Sequence, residues 1–92
     1  MADPTIKACA KGAWTKVATS IAAARIHTLI TVGSGGSSIV YLHTYRATGG
    51  AAPTLVTEGI PFDGITAEVE ATANIDVYVW CIGAAGSVRV DA

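Results

Sequence analysis

The sequence predicts an all-β protein, a small antiparallel β-sandwich or barrel of seven to eight short strands. Three observations predict it. Apolar and polar residues alternate with period two, most clearly in the second half; β-branched residues crowd the runs that alternate; and Gly-, Ser- and Pro-rich segments separate those runs. At 92 residues the chain has room for one domain. It reads as an N-terminal arm, residues 1–12, followed by a single β domain, residues 13–92.

The first third carries two competing signals. Trp14, Val17, Ile21 and Ala24 fall at helical spacing, and Ser20 to Arg25 holds good helix formers. Trp14–Thr19 and Ile26–Val32 are rich in β-branched residues, which favours two strands joined by a turn or one helical turn around residues 20–24. Gly33 to Ser38 is too flexible for a regular element. Ile39 to Arg46 is the next strand, Ala47 to Pro53 a second loop, and Leu55-Val56-Thr57 a short strand. Gly59 to Gly64 is a turn-rich connection whose Phe62 is expected to anchor in the core.

Alternation then dominates. In Ile65–Ala71 the odd positions are apolar, and Glu68 and Glu70 share a face expected to meet water. Thr72, Ala73 and Asn74 suggest a turn, because Asn tolerates left-handed backbone. In Ile75–Ile82, Ile75, Val77, Val79 and Cys81 take one face, and Asp76, Tyr78, Trp80 and Ile82 the other. Gly83–Gly86 closes a hairpin into Ser87–Asp91. The three segments predict an antiparallel meander with Ile65, Val69, Val77 and Val79 in the core.

Composition bears on function. The chain is 51% hydrophobic and 14% charged, and its mean hydropathy is +0.48. Soluble domains carry about 25% charged residues, and a domain this small buries only roughly 60–65% of its unfolded surface. Abundant Ala and Gly inflate the apolar fraction, but a poorly solvated surface also predicts a homo-oligomer or a tight partner complex. The net charge is −1, and the basic residues are dispersed. Lys7, Lys11 and Lys16 make at most a weak basic arm, so direct nucleic-acid binding is not expected.

No apolar run is long enough to span a bilayer, and Met1-Ala2-Asp3-Pro4 lacks the pattern of a secretory signal. Synthesis in a cytoplasm follows, with Cys9 and Cys81 as free thiols. Cys81 falls on an apolar strand face as a small buried hydrophobe. A disulfide between the two would require their strands to be neighbours.

Candidate chemistry is sparse. His27 and His43 lie on separate strands, without Cys, Asp or Glu at ligand spacing. Glu68 and Glu70 read as a solvated face rather than an acid–base pair. Ser34-Gly35-Gly36-Ser37 lacks the Lys and the helix of a phosphate loop. No catalytic residue, metal ligand or cofactor site is expected. The strand carrying Tyr78 and Trp80 is apolar on both faces, so both faces need cover. The cover is either the 47–62 connection or a neighbouring subunit. Trp14, Tyr78 and Trp80 are the candidate interface residues, aromatics being enriched at interfaces.

The stretches Trp14–Thr19, Glu58-Gly59-Ile60-Pro61-Phe62 and Ile75–Trp80, with the ending Gly86-Ser87-Val88-Arg89-Val90-Asp91, resemble small virion structural proteins of tailed bacteriophages. The resemblance rests on strand texture and the Val-Arg-Val-Asp ending over most of the chain, and it transfers no functional residue. It implies a β-rich capsid decoration (cement) protein made in the host cytoplasm, located in the virion, and bound to the major coat protein or another virion protein. A neck, tail or fibre-base subunit is the nearest alternative. A carbohydrate or small-ligand binding β domain, using the aromatics for stacking, is a third.

Overall fold

A computed structural model describes residues 5–29, 32, 36, 38–61 and 66–91, and for 66–73 it describes the backbone alone. Six strands account for most of them: β1 (Thr5–Cys9), β2 (Trp14–Thr28), β3 (Val40–Ala47), β4 (Ile60–Pro61), β5 (Thr66–Ile82) and β6 (Gly86–Asp91). They form one antiparallel sheet in the order β1-β6-β2-β5-β3-β4. The all-β, antiparallel class is the one the alternation predicts, although among the described residues the strands number six rather than seven to eight, and β2 and β5 are long rather than short.

The expected break at residues 20–24 is absent. β2 runs through it as strand, pairing with β5 from Trp14↔Trp80 to His27↔Thr66, with register shifts between Lys16 and Ala23. Ser20 takes φ +54° there. The local helix formers therefore yield to ladder hydrogen bonds on a bulged strand. The turn expected at Thr72–Asn74 is likewise strand. Across it β2 advances only from Ile21 to Ala23 while its partner goes from Ile75 to Glu70, so β5 carries the surplus residues as an irregularity.

The expected meander is also corrected. Gly83–Ala85 does not close a hairpin of paired neighbours, because β6 lies between β1 and β2 and β5 lies between β2 and β3. Residues 75–80 of β5 already have β2 on one side and β3 on the other, and Cys81 is bridged by Lys11, which leaves no free edge there for β6. The chain therefore crosses over. Gly83 makes the crossing at φ +97°, packed against the Ser38 carbonyl where a Cβ would collide. The expected strand at Leu55–Thr57 is instead a 3₁₀ turn, Val56–Glu58. The Glu58 carboxylate accepts the backbone N–H groups of Thr54 (3.0 Å) and Leu55 (2.9 Å), which curls the segment.

The sheet is folded so that its halves face each other. Tyr41 on β3 donates its hydroxyl to the Ser87 carbonyl on β6 at 3.4 Å, although two strands separate β3 from β6 in the ladder. One core fills the fold: Cys9, Val17, Ala24, Ile26, Ile39, Tyr41, Ile75, Val77, Val79, Cys81, Val88 and Val90. Val77 and Val79 are fully buried, as their alternation predicts. Ile65 and Phe62 lie outside the described residues, as do the side chains of Val69, Glu68 and Glu70. Residues 5–9 of the expected arm are part of the sheet, paired with β6 from Thr5↔Val90 to Cys9↔Gly86.

Candidate interaction surface

The face of β5 turned away from the core carries Asp76, Tyr78, Trp80 and Ile82. Register sets β3 beside it, with Arg46, Thr44, Leu42 and Val40 opposite those four in turn. On the other side β2 places Lys16 opposite Tyr78 and Trp14 opposite Trp80. The face is graded, polar at the Asp76 end and apolar at the Ile82 end.

At the polar end Asp76 is buried. Its Oδ1 accepts the Ser20 backbone N–H at 2.9 Å and the Thr48 hydroxyl at 3.1 Å, and Lys16 Nζ stands 3.4 Å from Oδ2. The Ser20 hydrogen bond, helped by Thr48 and Lys16, outweighs burial and holds this carboxyl below its ordinary range. Arg46 bonds Glu58, its neighbour Thr44 and the Tyr45 carbonyl, tying the connection after β3 to the sheet. Glu58 is lowered too, first by the Leu55 and Thr54 N–H groups and then by Arg46, against burial.

In the middle, Trp14 and Trp80 meet edge to face, with centroids 5.4 Å apart and planes at 70°. The Trp14 indole N–H donates to the Leu55 carbonyl at 3.2 Å. Gly59 packs so tightly between Leu42 and Trp14 that a Cβ there would lie 2.7 Å from Leu42 Cβ and 2.8 Å from Trp14 Cη2. The cover that the two-sided strand requires is thus supplied within the chain, by the segment following β3. Tyr78 is buried, at 5% exposure, with Lys16 Nζ 5.9 Å from its ring centroid. Of the three aromatics the sequence singles out, Tyr78 offers no surface, while Trp14 and Trp80 are half-buried.

The apolar end is open. Val40 and Ile82 stand directly opposite one another, each 42% exposed, and Leu55 and Val56 project from the covering turn. Ile82 was visible in the sequence as an outward position of an alternating strand. Val40 was not, because Ile39–Leu42 is apolar at every position and shows no outward face. Leu55 and Val56 were not, because the region reads as strand.

The histidines lie elsewhere. His43 faces the core side of β3 opposite Val79, and burial lowers its pKa. His27 has a carboxylate that sequence spacing did not reveal: Asp91 Oδ2 sits 3.1 Å from its Nε2, and Arg89 Nε reaches Asp91 Oδ1 at 3.0 Å. β2–β6 pairing, which sets His27 opposite Arg89, brings these together from the two ends of the chain. Burial acts to raise Asp91, but Arg89 and then His27 outweigh it and lower it. Among the described residues no group of three or more His, Cys, Asp and Glu is placed to hold a metal ion. Compared with protein families, curated proteins and solved structures, the chain matches none.

Proposed function

We propose that this protein is a non-catalytic assembly module that docks onto other protein surfaces through the apolar end of its outer face. The observation that carries the reading is the exposed Val40–Ile82 pair, which continues the half-buried Trp14–Trp80 pair to the rim of the sheet. Apolar side chains in register on rigid strands, next to aromatics, have the composition of an interface core. Leu55 and Val56 add exposed apolar surface on the turn that holds Trp14, and Lys16 at the polar end supplies a charged rim.

The virion resemblance gives this module a setting. In that setting it is a capsid decoration protein whose partner is the major coat protein, and self-association accompanies docking. A sugar-stacking domain is less well supported. Trp14 meets Trp80 edge to face with its N–H already committed to Leu55, so the pair does not form a flat platform.

The test is the double substitution Val40→Lys with Ile82→Lys. Both sites are exposed, so the fold should survive with unchanged far-UV dichroism. Binding to the assembly from which the parent protein is recovered should weaken by about 2 kcal/mol or more, the scale of an interface hot spot. Undiminished binding by a folded double variant would reject this face.

A further inference from the structure

The two cysteines lie far apart in sequence and on strands that are not ladder neighbours. The folded sheet nevertheless brings them together. Lys11, just beyond β1, makes a parallel bridge to Cys81, and the Gly12 N–H donates to the Cys81 carbonyl at 3.1 Å. Both side chains are buried in the same core cluster as free thiols. Cys9 pairs with Gly86 across the ladder, and its thiol lies 3.8 Å from the Lys7 carbonyl with Cys81 as its other neighbour. We propose that Cys9 and Cys81 form a reversible disulfide, an oxidative clasp that joins the edge strand β1 to the central strand β5.

The environment divides the work between the sulfurs. Cys81 takes the hydrogen bond from Cys9, and the Gly86 backbone N–H also favours its thiolate, so its pKa falls despite burial. Cys9 is the protonated partner; the bond to Cys81, then burial, raises it. Access comes through β1. It is a sheet edge, exposed along Thr5–Ala8, and only Cys9 is anchored in the core. Edge segments with little buried side chain open locally at low cost.

When β1 lifts, the Cys9 thiol exchanges with a small disulfide such as glutathione disulfide. Cys9 is then joined to one glutathione, and the other leaves as a thiol. On return, with Cys9 no longer carrying a thiol proton, the Gly86 N–H is the group that favours the Cys81 thiolate, and that thiolate attacks the Cys9 sulfur. The new Cys9–Cys81 bond forms and the second glutathione departs as thiolate, taking up the proton that Cys81 released. Two protein thiols are oxidised and one glutathione disulfide is reduced to two thiols. The clasp closes the loop from residue 9 to residue 81, nearly the whole chain, so its effect on the unfolded state is large.

The experiment uses the intact wild-type protein, incubated with glutathione disulfide, denatured, and treated with a mass-tagging maleimide. The expected product is a monomer that takes no tag and is lighter by two hydrogen atoms. Its thermal midpoint should stand roughly 10 °C or more above the reduced form. Tris(2-carboxyethyl)phosphine should restore both tags and the lower midpoint. Cys9→Ser and Cys81→Ser should each stop at a glutathione adduct or a single free thiol, without the rise. Wild-type protein that keeps two taggable thiols, stops at glutathione adducts, or links only between chains would overturn the clasp.

Discussion

Asp76 joins three segments that are distant in sequence: the bulge of β2 through Ser20, the start of the long connection through Thr48, and the outer face through Lys16. The net effect of these partners is a carboxyl held below its ordinary value of 3.8. The unfolded chain therefore binds this proton first as pH falls. The stabilisation is complete above 3.8 and is lost as pH drops through the folded value. His43 follows the same sign at higher pH. Burial lowers it from an ordinary 6.5, so stability is undiminished above 6.5 and declines below as the unfolded chain protonates. A series of thermal midpoints at decreasing pH should thus fall in two stages. His43→Gln should remove the first, and Asp76→Asn should flatten the second while lowering the midpoint at neutral pH. The second stage will not vanish, because Glu58 and Asp91 are lowered too. A single-stage profile in the parent would contradict the His43 assignment. Gly59 is a residue-scale prediction of another kind. Its φ of −87° suits any residue, so the requirement for glycine is purely one of space between Leu42 and Trp14. Gly59→Ala should cost about 1–3 kcal/mol, the scale of overpacking, and should shift tryptophan fluorescence as the covering segment moves off Trp14. Unchanged emission would mean the segment does not seal that face.

Among the elements, β2 shows what was legible in the sequence and what was not. Alternation identified the inward face of residues 75–82 of β5 correctly, since Val77, Val79 and Cys81 are all buried. It could not give their pairing. Parity says which side a residue faces but not which strand lies beside it, and the short Gly83–Ala85 link suited a hairpin as well as a crossover. The turn signals at residues 20–24 and 72–74 did mark real irregularities. In a long strand a bulge absorbs residues that would otherwise force a turn, and a sequence pattern does not separate the two. The outer-face site was half legible: Trp14 and Trp80 were found, whereas the intramolecular cover over Leu42 and Trp14 depended on where the 47–61 segment folds back. Ser20 provides the test at this scale. Its side chain is exposed and its φ is +54°, so substitutions there report backbone conformation rather than packing. Ser20→Gly should stay within about 1 kcal/mol of the parent, relief of strain offsetting chain entropy. Ser20→Val should lose about 1–2 kcal/mol in urea titrations, because a β-branched residue tolerates left-handed backbone poorly. Equal stabilities would argue that β2 is not bulged at this residue.

For the molecule as a whole, the question is which surface remains for association. The radius of gyration, 12.3 Å, matches the value of about 12 Å for a compact domain of this length. The low charge fraction is therefore spread over a globule rather than hidden by an extended shape. Among the described residues the strand order ends in β1 and β4, and β4 pairs with only Leu42 and His43 of β3. β4 is two residues long and ends in Pro61, which cannot donate to a ladder. β1 carries Lys7 at its centre, so antiparallel pairing of two β1 strands about that residue would oppose like charges. β1 and β4 are thus poor templates for a second copy, whereas the Val40–Ile82 end of the outer face has no such block. Self-association, if it goes through that face, is linked to folding by mass action, because a partner that binds only the native chain raises its apparent stability. The thermal midpoint of the parent should rise with protein concentration across the micromolar range, in step with sedimentation of a species larger than the monomer. In the Val40→Lys, Ile82→Lys double variant the midpoint should become independent of concentration while the monomer still unfolds cooperatively. An interface of more than roughly 1,000 Å² in total is what a specific association of this kind requires, so cross-links from Lys11, which bridges Cys81 next to Ile82, should join copies in the parent and not in the variant. A parent midpoint that does not move with concentration, together with a monomer in sedimentation, would remove self-association from the proposal and leave docking onto a different protein as the sole use of the patch.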